Sequence, residues 1–334
     1  MSGELRVGIV GISGYGGGEL LRLCVGHPAF RVTYAAGEST AGQRVAQRFP
    51  ALAGHPAGEI VIEAFEPDAV AELDVLFASL PTGKSSEPLA RVASRVRIVD
   101  VGGDHRFVPG WTYGLTELPG QRAKIRGVSR LANPGCYPAA TLLALAPLLQ
   151  AGLVESEGIV VDAKSGVTGT GRGGASDYGY AETNEDVFAY GLAAHPHVPE
   201  IETALAQLAG RAATVAFTPH LVPMSRGILA TCYARPRGSV SAARCSEAAR
   251  ALYAREPFLR VCDTENGRSP HTGWATGTNL CFVSYALNAR TGLVVACGAI
   301  DNLGKGAAGQ AIQNANLMSG IEETAGLLGL PTWP

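Results

Sequence analysis

A doubly wound α/β domain followed by an α+β domain is the fold class the sequence predicts. Three observations predict it. Short apolar strands alternate with helical runs over the first third of the chain, and a glycine-rich turn joins the first strand to the first helix. Beyond Pro134-Gly135 the strands become dense and the helices sparse. Length agrees, since 334 residues at roughly 150 per domain make about two domains.

The elements follow in order. Val7-Gly8-Ile9-Val10-Gly11 reads as a buried strand, and residues 19–25 as the helix after the turn. Residues 31–36, 74–78 and 96–101 read as further strands, with a helical pattern over 86–96. A helix is predicted over 137–150 and a strand over 158–163. Strands over 214–217, 227–233, 280–285 and 292–297 carry strong β signals. Residues 239–255 read as a helix, and the tail from 307 to 328 is helical again.

Composition narrows the function. The 43 glycines are about 13 % of the chain, against a usual figure of roughly 7 %, and they show no collagen period. With 46 % hydrophobic and 17 % charged residues, the chain has ample material for a core, so disorder is not expected. A net charge of −2 offers no footprint for nucleic acid. No apolar run reaches the roughly 18 to 20 residues of a membrane span, and the N-terminus lacks the features of a signal peptide. Seven cysteines, odd in number and without a CxxC pair, argue against disulfides and zinc and for a reducing cytoplasm.

The turn Gly11-Ile12-Ser13-Gly14-Tyr15-Gly16-Gly17-Gly18 places small residues at a helix N-terminus, where amides and partial positive charge suit a pyrophosphate. Gly11, Ser13, Gly14, Tyr15, Gly16 and Gly17 are therefore candidate dinucleotide contacts; the alternative is a tight turn without a ligand. Glu38, about twenty residues further on, suits the ribose hydroxyls of NAD. Ser39, Thr40 and Arg44 instead suit the 2′-phosphate of NADP, and the residues alone leave the choice open.

Cys136 stands apart from the other cysteines. In Asn133-Pro134-Gly135-Cys136-Tyr137-Pro138, Pro138 marks the first turn of a helix. A thiol at a helix start favours the thiolate, and the amides there can hold an oxyanion. A nucleophile needs a base, and His195-Pro196-His197-Val198-Pro199-Glu200 is the densest polar constellation. The two histidines lack the further ligands of a metal site, so no metal is expected. The loop from Ala163 to Gly174 either binds an anion through its backbone or is a surface loop. Asp301 to Gln310, with Asn302, either admits a cofactor ring or packs a helix start.

These segments, together with Tyr113-Gly114-Leu115-Thr116-Glu117-Leu118 and Pro219-His220-Leu221-Val222-Pro223-Met224-Ser225-Arg226-Gly227, resemble the N-acetyl-γ-glutamyl-phosphate reductases of arginine biosynthesis. Those belong with the aspartate-semialdehyde dehydrogenases, and the resemblance runs nearly the whole length. It implies a Rossmann-type NADP-binding domain over 1–134. It further implies a catalytic, substrate-binding and oligomerisation domain with a mixed sheet over 135–306, and a C-terminal helical segment, 307–334, returning to the first domain. It implies NADPH as cofactor and an acyl-phosphate substrate reduced to a semialdehyde by a cytoplasmic homo-oligomer, a dimer or a tetramer. Cys136 would be the nucleophile, His195 the acid/base with His197 second, and Glu200 an orienting carboxylate. Arg106 and Arg172 would hold phosphate with Arg226 as a third, Ser165 and Gly166 would face the substrate, and Asn302 the cofactor. The resemblance tilts the cofactor choice toward Ser39 and Thr40. Two positions depart from the family pattern: Pro196 replaces an arginine between the histidines, and His105 replaces a phenylalanine before Arg106. A carrier-linked aminoadipate phosphate or aspartyl phosphate is the alternative substrate, and a regulatory dinucleotide-binding protein without chemistry is the other class.

Overall fold

The computed structural model describes residues 4–172, 178, 180–264 and 269–331. The chain divides into two compact units: residues 1–116, 120–134 and 307–329 form one, and residues 117–119, 135–306 and 330–334 the other.

The first unit holds a six-stranded sheet in the order β2-β1-β3-β4-β6-β5. Its strands are β1 (Leu5–Val10), β2 (Phe30–Ala36), β3 (Val75–Ala78), β4 (Arg97–Asp100), β5 (Thr112–Tyr113) and β6 (Arg130–Ala132). Every pairing is parallel. β3 is buried as a continuous apolar run, and β4 is buried at Ile98, Val99 and Asp100, as parallel strands covered on both faces must be. The chain leaves β1 toward β2 on one side and resumes at β3 on the other. Such a reversal opens a crevice at the carboxyl ends of the strands, where open α/β sheets take their ligands.

Two predicted helices are shorter than their patterns. The run over 86–96 is helical only at Ser86–Ala90. The guanidinium of Arg130 donates to the carbonyls of Val92, Ala93 and Val96, which a continuing helix would have used itself. The tail helix spans Gly309–Met318. It stops at Gly320, whose φ is +69°. The amide of Gly320 donates to Leu317 O and that of Ile321 to Asn316 O, the paired bonds of a Schellman end.

The second unit holds a mixed seven-stranded sheet, β11-β12-β13-β10-β7-β9-β8. These are β7 (Ile159–Gly166), β8 (Phe188–Ala189), β9 (Val215–Val222), β10 (Ile228–Ala234), β11 (Leu259–Val261), β12 (Cys281–Leu287) and β13 (Val294–Ile300). Helix Cys136–Gln150 lies against β10, β12 and β13 and under helices His197–Ala209 and Ala242–Leu252. Enclosed on all sides, it is apolar all round, and residues 137–149 are buried throughout. The Ala242 helix is shorter than the run over 239–255 because Ser241 caps it, accepting from Arg244 N at 3.2 Å.

Pro147 inside the buried helix has no N–H, so the carbonyl four residues earlier, on Leu143, loses its helical donor. Tyr253 supplies the replacement, its hydroxyl donating to Leu143 O at 2.6 Å. Among the described residues no helix is long and apolar enough to cross a membrane. We expect Tyr253→Phe to leave the Leu143 carbonyl buried without that donor and to lower stability by about 1–3 kcal/mol. A urea unfolding midpoint equal to that of the unaltered chain would refute this.

Candidate active site

The glycine turn after β1 has steric reasons for its glycines. Gly11 has φ +80°, and a Cβ there would sit 2.1 Å from Ser79 O. A Cβ on Gly17 would meet Gly11 O at 2.2 Å, and one on Gly16 the Ser79 hydroxyl at 2.6 Å. Gly14 caps the N-terminus of helix Tyr15–Val25, whose first turn carries no acidic residue. The turn thus lies at the carboxyl ends of β1 and β3 and presents a helix start to an anion. Ser13 and Tyr15 flank that start.

The end of β2 carries the second half of a dinucleotide site. Ser39 Oγ lies 3.5 Å from Ser13 Oγ, and Gly37 approaches Ser13 Oγ and Thr40 Oγ1 so closely that a Cβ there would be 3.0 and 3.1 Å away. Thr40 Oγ1 is buried and makes no hydrogen bond within the protein. An orphaned hydroxyl beside two serines fits a phosphate oxygen as partner. Arg44, the third candidate for that phosphate, is instead paired with Glu59. Glu38 points outward as an exposed residue.

Cys136 opens its helix, with Gly135 as the capping residue. The first-turn amides are those of Cys136 and Tyr137, since Pro138 has none. Glu200 accepts the amide of Gly135 at 2.9 Å. That bond fixes the backbone just before Cys136. Gly306 packs on the other side; a Cβ there would lie 2.8 Å from Cys136 Cβ.

His195 is boxed by rings. Tyr137 meets it edge-on at 5.7 Å between centroids, Tyr190 at 5.7 Å, Phe217 at 5.1 Å and His197 at 4.8 Å. Its Nδ1 accepts the amide of His197 at 3.1 Å. That bond needs the Nδ1 lone pair, so the neutral ring carries its proton on Nε2, which is left as a donor. Burial lowers its pKa to about 4, which holds the ring neutral. Tyr190, absent from the sequence reading, donates to Tyr137 Oη at 3.0 Å; no motif around Phe188-Ala189-Tyr190 marks it. By contrast the buried Cys24, Cys232 and Cys281 have their thiols pushed up by desolvation, which suits inert core residues.

Arg226 pairs through Nε with the fully buried carboxylate of Asp301, Nε to Oδ2 3.0 Å. Asn302 accepts from Gly227 N at 2.7 Å and donates to Thr168 Oγ1 at 2.9 Å; it staples two turns of the second unit. The loop after β7 is likewise tied down. Val167 N donates to Met224 O, and Thr168 N to Ser225 O. A Cβ on Gly166 would strike Met224 O at 2.8 Å, and Ser165 Oγ donates to the Gly166 carbonyl. Backbone packing accounts for that glycine. Arg172 is exposed, with Gly173 and Gly174 of the predicted loop lying outside the described residues, and Arg106 donates from Nε to Asn133 O at 3.0 Å.

Residues 6–127 match the family model "Semialdehyde dehydrogenase, NAD binding domain", and residues 136–302 match "Semialdehyde dehydrogenase, dimerisation domain". An N-acetyl-gamma-glutamyl-phosphate reductase of Bradyrhizobium sp. (strain ORS 278) is 57 % identical over 99 % of this chain and 100 % of its own. One of Citrifermentans bemidjiense is 42 % identical with the same coverage. The chain belongs to the N-acetyl-gamma-glutamyl-phosphate reductase family. Its fold is also that of more distant structures. A probable aspartate-semialdehyde dehydrogenase of Pseudomonas aeruginosa superposes with a TM-score of 0.75 at 18 % identity, covering 95 % of this chain and 98 % of that one. The Candida albicans aspartate semialdehyde dehydrogenase with NADP gives 0.74 at 14 % identity, with the same coverage.

The histidine box makes a testable statement about acid. His195 is held near pKa 4 in the folded chain against 6.5 for an unperturbed histidine, so the unfolded chain binds more protons between those values. Stability therefore falls as pH drops from about 6.5 toward 4. His195→Phe should flatten that part of the stability profile. An NMR midpoint for His195 near 6.5 would contradict the assignment.

Proposed function

We propose that this chain reduces N-acetyl-γ-glutamyl phosphate to N-acetylglutamate 5-semialdehyde with NADPH, releasing phosphate, in arginine biosynthesis. It is an NADP-dependent oxidoreductase acting on an acyl phosphate. The observation that carries the mechanism is Cys136 at the start of a buried helix, with its approach fixed by Glu200.

The Cys136 thiolate attacks the γ-carbonyl carbon. The C–O bond to phosphate breaks, phosphate leaves, and a thioester to Sγ remains. The partial positive charge of the helix start favours both the thiolate and the oxyanion of the tetrahedral stage. NADPH, when bound, supplies the hydride that adds to the thioester carbon. The oxygen then gains negative charge, and the Nε2–H of His195 is the donor suited to it. Return of that electron pair expels the thiolate and frees the aldehyde. A base held near pKa 4 removes protons poorly at neutral pH, so His195 acts as a donor here. His197 opens the neighbouring helix and positions the His195 ring through its amide.

For the cofactor, the turn residues Gly11, Gly14, Gly16 and Gly17 would take the pyrophosphate, with Ser13 and Tyr15 beside it. Ser39 and Thr40 would take the 2′-phosphate. Arg106 and Arg172 are the arginines we assign to the substrate's phosphate, with Ser165 near the acyl group. The chain works in the cytoplasm as a dimer or tetramer assembled through its second unit.

The reverse reaction tests this reading. Given N-acetylglutamate semialdehyde, inorganic phosphate and NADP, the enzyme should form NADPH, at least about a hundredfold faster than with aspartate semialdehyde. Equal rates with the two aldehydes, or no dependence on phosphate, would refute it. Cys136→Ser should abolish the rate while NADPH still binds.

A further inference from the structure

Residues 100–113 of the first unit contain a buried polar device that the mechanism above does not use. Asp100, at the end of β4, is fully buried. Its Oδ1 accepts from Gly102 N at 3.0 Å, and its Oδ2 from Ser85 Oγ at 3.0 Å. Oδ2 also takes His105 Nδ1 at 2.6 Å. With a carboxylate as acceptor, that ring nitrogen must be the donor. The other side of the His105 ring stacks on Trp111 at 3.8 Å and 21°.

Arg106 comes next in the chain. Its Nε donates to Asn133 O at 3.0 Å and its Nη2 reaches Val101 O at 3.4 Å. Phe107 then adopts φ +58°, a left-handed conformation that a bulky residue adopts rarely. This turns its ring onto Tyr113, 4.4 Å between centroids. Arg106 is thus held between two anchored rings. The main chain of Asp100 also ties in, since its carbonyl accepts Asn133 N at 2.7 Å. Asn133 stands three residues before Cys136.

We infer that His105 is a positioning residue. By donating to the buried Asp100 carboxylate it holds Arg106 in the orientation that receives the phosphate of the substrate. The inference rests on the acyl-phosphate reading above. The ring gives the fully buried Asp100 carboxylate its shortest bond, beside those from Gly102 N and Ser85 Oγ.

Two variants separate the donor from the ring. His105→Phe keeps the stack on Trp111 and removes the donor. His105→Asn keeps a donor at the place of Nδ1 and removes the ring. Both are assayed in the reverse direction with NADP and N-acetylglutamate semialdehyde while inorganic phosphate is varied, with NADPH binding followed by fluorescence. We expect H105F to raise the KM for phosphate about ten- to a hundredfold with kcat within about threefold, the size of one lost hydrogen bond to a charged group. H105N should keep the phosphate KM within about threefold of the unaltered enzyme. A phosphate KM unchanged in H105F, or raised as far in H105N, would overturn the inference while leaving the reaction itself established. An unaltered enzyme that needs no phosphate would overturn the functional reading and this inference with it.

Discussion

The chemistry proposed for the second unit depends on one constraint, the contact between Glu200 and the amide of Gly135. A helix start is useful to a nucleophile only if its first amides keep one direction. Gly135 has no side chain to fix its own backbone, and the carboxylate of Glu200 does so from the neighbouring helix. Glu200 is itself buried and lies in the first turn of helix His197–Ala209, where an acid is favoured. The same turn that carries His197 and its amide bond to His195 therefore sets the approach to Cys136. Two motifs far apart in sequence act as one piece of structure.

Packing keeps that piece in place. The nucleophile helix is buried on every side, and each departure from an ideal helix is compensated. Pro147 removes a donor, and Tyr253 restores one at Leu143 O. A second tyrosine, Tyr285, donates to Ala144 O at 3.1 Å. The Lys305–Glu117 ion pair, fully buried beneath the same region, sits one residue from Gly306, whose missing side chain lets the backbone pass against Cys136. A buried pair is costly unless it is well bonded. Here its partners come from segments far apart in sequence, which fixes how they meet.

Much of this was legible in the sequence, and the reason is local chemistry. Pro138 announces a helix start because its missing N–H matters least there, and the helix does begin at Cys136. The glycines between β1 and the first helix announced a close turn, and Gly11 and Gly17 have no room for a Cβ. What was not legible depends on contacts between segments remote in sequence. Nothing around residues 86–96 reveals that Arg130 takes the carbonyls of the last half. Nothing in the glycine-rich loop after β7 reveals that Gly166 passes against Met224 O, or that Asn302 ties Gly227 to Thr168. Arg226 pairs with Asp301, seventy-five residues away, a contact that no local pattern announces.

The account rests on Cys136 forming a covalent bond to the acyl group before any reduction. Intact mass measurement after mixing the enzyme with N-acetyl-γ-glutamyl phosphate and no NADPH tests this directly. The account predicts a gain of one N-acetylglutamyl group on the peptide containing Cys136, with one equivalent of phosphate released, and loss of the adduct when NADPH is added. Turnover with NADPH by a Cys136→Ser variant, or an adduct on another residue, would contradict it.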